Sequence, residues 1–305
     1  MLETMPTTVT AEAWPALPIK SWEDTRATLH LWTQVVGKVC LDLTPLANHY
    51  WNIAFHMTPR GLTTPVMTAA GGTFTITFDL VEHQLVYQFS DGRTRTTPLR
   101  PQTVADFYRE TMATLEEMGI KAHVWPVPTE IPNPIRFTED VVHHSYDPVW
   151  ANAFWRAMLS MKPVFEGFRC DFIGKSSPLH FFWGSFDLAL TRFSGRRAPE
   201  RADPQAFMRE AYSHEVISHG FWPGNGPEVE AAFYAYSAPE PPGFKEMPMQ
   251  PAAAVYNKEL SIFVLPYEAV RSSKSPVREL SSFMSSTYEA AAKLAEWNRA
   301  ELERR

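Results

Sequence analysis

The sequence predicts an α+β fold of two similar halves, each a largely antiparallel sheet flanked by helices. Three observations carry that expectation. Strand-patterned segments follow one another without intervening helices, which calls for hairpins rather than parallel crossovers. Helical periodicity brackets those runs instead of alternating with them. A proline cluster at Pro126, Pro128, Pro132 and Pro134 interrupts the chain, and fixed φ with no N–H donor excludes a helix interior or central strand there. The expected organisation is a tail at 1–13, a first half at 14–125, a Pro-rich linker at 126–146 and a second half at 147–305. The halves are candidates for a pseudo-twofold duplication.

Within the first half, Trp22, Leu29, Trp32, Val35 and Val36 stand at helical spacing, predicting a helix over 22–37 that Gly37 stops. Strands are expected at 39–44, 51–57, 73–80 and 84–89. In 73–78 threonine alternates with Phe74, Ile76 and Phe78, the period-two pattern of a half-exposed strand. A helix over 104–118 has Thr103 as N-cap and Gly119 as its end.

The second half opens on Asp147-Pro148, a cap and first-turn pair for a helix over 148–162. Strands are expected at 169–173, 179–190, 215–222, 232–236 and 259–265, and a closing helix at 276–299. A second proline run, Pro239 to Pro251, reads as an ordered loop. Two matches suggest duplication: the proline-led aromatic segments 45–51 and 178–183, and Val104 and Phe107 against Leu280 and Phe283.

Composition excludes several classes. With 305 residues, 45% of them hydrophobic, the chain buries a sizeable core and is neither disordered nor fibrous. No apolar run approaches a membrane span, so no membrane partner is expected. A net charge of −6 argues against a general nucleic-acid binder. Residues 1–13 show no basic segment followed by an apolar one, so no secretory leader is expected. Cys40 and Cys170, with no CxxC pair, read as two reduced thiols in a cytoplasmic protein. Ten Trp among 13% aromatics suggest a rigid, concave core.

Familiar motifs fail on spacing. His214-Glu215 and His219 miss the H-E-x-x-H pattern because Ser218 holds the required position. Gly174-Lys175-Ser176 has Arg169 where a phosphate loop needs glycine. Trp183-Gly184-Ser185-Phe186-Asp187 lacks the last glycine of a nucleophile elbow.

What remains is a set of polar residues in apolar surroundings. His180, His214, Glu215, Tyr146 and Asp187 are the candidate catalytic groups. His143, His180, His214 and Glu215 are candidate ligands for one divalent transition metal, the cofactor itself staying unassigned. Arg192, Arg196 and Arg197 surround a Ser-Gly turn and could clamp a small anionic molecule. His180 and His214 are expected on neighbouring strands, within reach of a shared ion. His30 and Gln34, four apart on the first helix, could face one site; His49, His56 and His83 read as structural.

Several longer segments are distinctive: residues 28–38, Gly61-Leu62-Thr63-Thr64, Asp106-Phe107-Tyr108-Arg109-Glu110, residues 180–188 and residues 209–216. Together they resemble a bacterial family catalogued as domain of unknown function 5996, from Trp14 to the last helix. The resemblance implies one continuous unit and a bacterial cytoplasmic setting, and it brings no activity or cofactor. Two functional classes therefore compete. One is an enzyme acting on a small anionic molecule through the His/Glu set and the arginine clamp. The other is a non-catalytic small-molecule-binding or assembly protein, of either oligomeric state.

Overall fold

The computed structural model describes residues 13–200, 206–226 and 229–304; most of the tail at 1–13 lies outside them. The chain opens with helix α1 (Ile19–Leu43), buried on nearly every side between residues 25 and 40. The expected stop at Gly37 and strand at 39–44 are corrected here: the helix runs straight through. Gly37 is present because the Trp183 indole occupies the space its Cβ would take, a packing reason that periodicity does not reveal. Val39 and Cys40 stay helical because the core encloses that turn, overriding β-propensity.

A 3₁₀ turn at Asn48–Ile53 follows, where a strand over 51–57 was expected. The first sheet comprises β1 (His56–Thr58), β2 (Gly61–Thr63), β3 (Met67–Ala69), β4 (Gly72–Asp79), β5 (Gln84–Phe89) and β6 (Thr94–Pro98). It is antiparallel in the order β1-β2-β4-β5-β6, with β3 also paired to β4. Phe74, Ile76 and Phe78 of β4 point into the core, as their alternation predicts. Helix α2 (Val104–Glu117) is capped by the Thr103 hydroxyl, which accepts from the Asp106 N–H at 3.0 Å. Its Phe107 stacks on Trp32 of α1 at 4.7 Å.

After residues 118–147, which form neither helix nor strand, Asp147 caps α3 (Pro148–Cys170) by accepting from the Val149 N–H at 2.8 Å. The helix continues past Pro163, so the strand expected at 169–173 is absent. Then come β7 (His180–Phe182), β8 (Asp187–Arg197), α4 (Ala206–Ala211), β9 (His214–Trp222), β10 (Ala232–Ala238), β11 (Val255–Asn257) and β12 (Ile262–Pro266). Helices α5 (Tyr267–Arg271), α6 (Pro276–Leu294) and α7 (Arg299–Leu302) close the chain. The single strand expected at 179–190 is instead a hairpin that turns at Trp183–Phe186, where Phe186 has φ +56°. The second sheet is antiparallel in the order β11-β12-β10-β9-β8-β7. The α+β class with two antiparallel sheets thus stands. Segments 45–51 and 178–183 differ, one largely a 3₁₀ turn and the other a strand with its turn.

The sheets meet edge to edge where Phe55 and Phe181 exchange backbone hydrogen bonds of 2.8 and 2.9 Å. One face of the second sheet packs under α3 and α6: Leu188, Leu190, Ile217, His219 and Phe221 point that way and are buried. The opposite face carries the site. Both thiols are free. Cys170 is exposed, and burial pushes the Cys40 thiol up to about 12. Thiol titration with Ellman's reagent is expected to find one rapidly reacting group in native protein and two after denaturation; two fast native thiols would contradict the packing of α1. Among the described residues, no helix is long and apolar enough to cross a membrane.

Candidate functional site

Strand alternation builds the site. Asp187, Ala189, Thr191 and Phe193 of β8, Val216 and Ser218 of β9, and Tyr234 and Tyr236 of β10 project from the sheet face away from α3 and α6. They floor a cavity of about 460 Å³, the size of small-molecule sites. The 3₁₀ turn with His49, Tyr50 and Trp51, the Thr129–Glu130 segment, Trp183 and α4 form its walls.

Two carboxyl groups converge at one end. Asp187 is 4% exposed and accepts hydrogen bonds from the Ser185 and Tyr234 hydroxyls. Burial raises its pKa despite those donors, and burial also pushes the Tyr234 phenol well above its usual value. Glu130 is exposed as a residue, yet it lines the concavity with one carboxylate oxygen packed against Gly184. That enclosure, and secondarily the Asp187 charge, raises its pKa to about 7. Beyond these acids the floor is hydroxylic. Thr191 and Ser218 hydroxyls lie 2.9 Å apart, and those of Tyr212 and Tyr236 3.0 Å.

The placement of Glu130 is built from α1. His30, Gln34 and Lys38, spaced i, i+4 and i+8, form a polar stripe on an otherwise buried helix. The Gln34 amide pairs with Thr129 in both directions, donating to its carbonyl at 2.9 Å and accepting from its N–H at 2.7 Å. Lys38 donates to the Thr129 hydroxyl at 3.0 Å, and His30 Nε2 lies 2.9 Å from the Gly184 carbonyl. A Cβ on Gly184 would stand 2.6 Å from Glu130 Oε1, so glycine there leaves room for the carboxylate. Glu130 itself has φ +60°, and His49 and Tyr50 on the facing wall both have φ +57°. Left-handed backbone at three non-glycine residues around one cavity is strain of the kind that clusters at functional sites.

The sequence-derived candidates scatter, and only Asp187 lines this cavity. His180 is buried behind the wall, 5.9 Å from Trp51 and 5.5 Å from His56 by ring centroids. Its Nδ1 has no hydrogen-bond partner among the described residues, and burial holds its pKa down at about 4. His214 contacts His49 at 5.9 Å. Neighbouring-strand placement of these two histidines is corrected: β8 runs between β7 and β9, His180 opposes Ala189, and His214 opposes Arg197. Trp51 and His49 stand between the two rings.

Glu215 is ion-paired with Arg196 at 2.7 Å and accepts from the Ser194 hydroxyl at 2.8 Å. Arg196 also donates to the Ala295 and Glu296 carbonyls at the end of α6. Arg192 is no clamp, because even-numbered positions of β8 face the helices. Its guanidinium stacks on Phe168 at 3.4 Å and donates to the Phe168 carbonyl. Arg197 is exposed. Tyr146 pairs with His83 at 2.8 Å in the first half, and His143 with Asp140 at 2.8 Å. The four proposed metal ligands are therefore apart. Among the described residues no group of three or more His, Cys, Asp or Glu is placed to hold an ion.

Glu130 was missed because a proline-rich segment reads as a linker. The signals for it were the i, i+4 pair His30 and Gln34, which meets this segment, and the Tyr234/Tyr236 alternation, which marks a second polar-capable face.

Replacing Glu130 tests the electrostatics. Its carboxyl titrates near 7 when folded against a usual value of 4.5, so the ionised form is disfavoured in the native state and stability from this group falls as pH rises through that window. Unliganded Glu130→Gln is expected to melt above wild type at pH 8 and to match it below pH 4.5. Equal melting temperatures throughout would contradict the raised value.

No curated protein and no solved structure matches the chain. The profile described as a family of unknown function, DUF5996, matches residues 14–304, almost the entire chain, and this protein belongs to that family.

Proposed function

We propose that the protein binds a small organic molecule in the aromatic cavity on the open face of the second sheet. One observation carries this reading: a strained Glu130, tethered through Thr129 to the buried Gln34 amide, joins Asp187 at one end of a cavity of ligand size. Packing alone gives no reason to hold a carboxylate there. The sequence pointed to an anionic ligand clamped by arginine. With Arg192 and Arg196 engaged elsewhere, the described charged side chains lining the cavity are acids, and His49 is neutralised further by burial and by Lys175. That balance favours an uncharged or cationic ligand.

The cavity-filling variant Ala189→Leu tests the reading, since Ala189 lines the floor. Compounds that raise the melting temperature of wild type should leave that of folded Ala189→Leu unchanged. Equal shifts in both proteins would place binding elsewhere.

Catalysis is a second reading, favoured by the different environments of the two carboxyl groups. Asp187 is locked by two hydroxyl donors, whereas Glu130 titrates near neutrality, a division that can serve as positioned acceptor and acid–base group. Turnover lost in Glu130→Gln with ligand affinity retained would select it over simple binding.

A further inference from the structure

We propose that the ligand is an organic cation, a protonated amine on an apolar body, with its ammonium group held between Glu130 and Asp187 and its body among the surrounding rings. This rests on the cavity being the binding site and adds the chemical class. Three observations point to it.

The first is the sign of the lining charge. A second cavity of about 550 Å³ adjoins the first and shares Tyr212, Trp222 and Tyr236 with it. Its described charged residues are Glu200 and Glu240, so across both chambers the described Asp, Glu, Lys and Arg side chains of the lining are all carboxyl groups; the Lys175 ammonium stands outside that lining, 3.0 Å from His49 Nε2. The second is the wall chemistry. Trp222 packs on Tyr234 at 4.4 Å, Tyr234 stacks on Tyr236 at 6.0 Å, and Trp183 lines the same cavity. Aromatic faces attract cations through their quadrupoles, with more effect where water is excluded. The third is an unused acceptor: Glu130 has no hydrogen-bond or ion-pair partner among the described residues, whereas Asp187 is already bonded. An ammonium group carries the three donors such a pair lacks.

The proposal has a proton signature. Around Glu130 stand Asp187 from β8, Tyr234 from β10, His49 and Tyr50 from the 3₁₀ turn, and His30 and Lys38 from α1, the last two bonded to Gly184 and Thr129. Of these, Asp187 perturbs Glu130 electrostatically, and in the same direction as burial. A cation binds the ionised carboxyl, so binding displaces a proton near neutrality, and affinity rises with pH through about 7.

The test is calorimetric titration of full-length protein with 2-phenylethylamine, 2-phenylethanol and 3-phenylpropanoate, which share a ring and differ in charge. The amine should bind roughly tenfold or more tightly than the alcohol. It should strengthen between pH 6 and 8 and weaken about tenfold in Glu130→Gln. The propanoate should not bind. Amine affinity equal to that of the alcohol, indifferent to pH and to Glu130→Gln, would overturn the cationic class, as would failure of all three probes at millimolar concentration. In either case, other compounds whose melting shifts vanish in Ala189→Leu would leave the cavity reading standing. Shifts that persist in that variant would remove both.

Discussion

Gly37→Leu is expected to lower the unfolding free energy by about 3 kcal/mol, the upper part of the range for overpacking a core. Gly37 lies in mid-helix, where replacing glycine ordinarily gains about 1 kcal/mol. Helix propensity and packing therefore predict opposite signs. Packing dominates because the Trp183 indole fills the Cβ position, is 3% exposed, and is pinned by its Nε1–H to the Ile53 carbonyl at 2.9 Å. The ring cannot withdraw without breaking that bond and deforming the cavity wall it forms. Urea denaturation measures the effect, with Gly37→Ala as a smaller step in the same direction. A neutral or stabilised Gly37→Leu would mean that α1 and the β7–β8 turn are not packed in this way.

Gln34→Leu is expected to cost about 2–3 kcal/mol and to abolish ligand binding. The side chain is fully buried and supplies both partners of the Thr129 backbone. Leucine leaves a donor and an acceptor unsatisfied, each costing roughly 1–3 kcal/mol if they stay buried. The segment is better relieved by moving toward water, which withdraws Glu130 from Asp187. Amide hydrogen exchange should therefore accelerate more at Thr129 and its neighbours than in β4 and β9, which report only the global loss of stability. Gln34→Glu separates geometry from charge: it keeps the acceptor for the Thr129 N–H and removes the donor to the Thr129 carbonyl. Unchanged exchange at Thr129 in Gln34→Leu would contradict the tether.

The fold class was legible because period-two alternation in residues 73–78 and capped helices at Thr103 and Asp147 are local signals. Local patterns failed where distant residues decide. Gly37 reads as a stop unless Trp183 is known to fill its place, and Arg192 reads as a clamp unless β8 register turns it toward Phe168 and Tyr288. The histidines misled for a related reason. Imidazoles in apolar strands suggested a shared ion, whereas His214 lies against His49 and His180 is enclosed by aromatic rings. The acids of the site come from the expected linker and from the second half, and nothing local announces that Glu130 reaches Asp187. The polar stripe on α1 was a trace of that arrangement, visible as the His30 and Gln34 spacing.

The most direct measurement is a crystal structure of the protein with the compound that most raises its melting temperature. Ligand density is expected in the cavity floored by Ala189, Thr191 and Tyr234, with a ligand donor within about 3.2 Å of the Glu130 or Asp187 carboxyl. Density only outside that cavity, with Glu130 unengaged and the cavity unchanged, would contradict it.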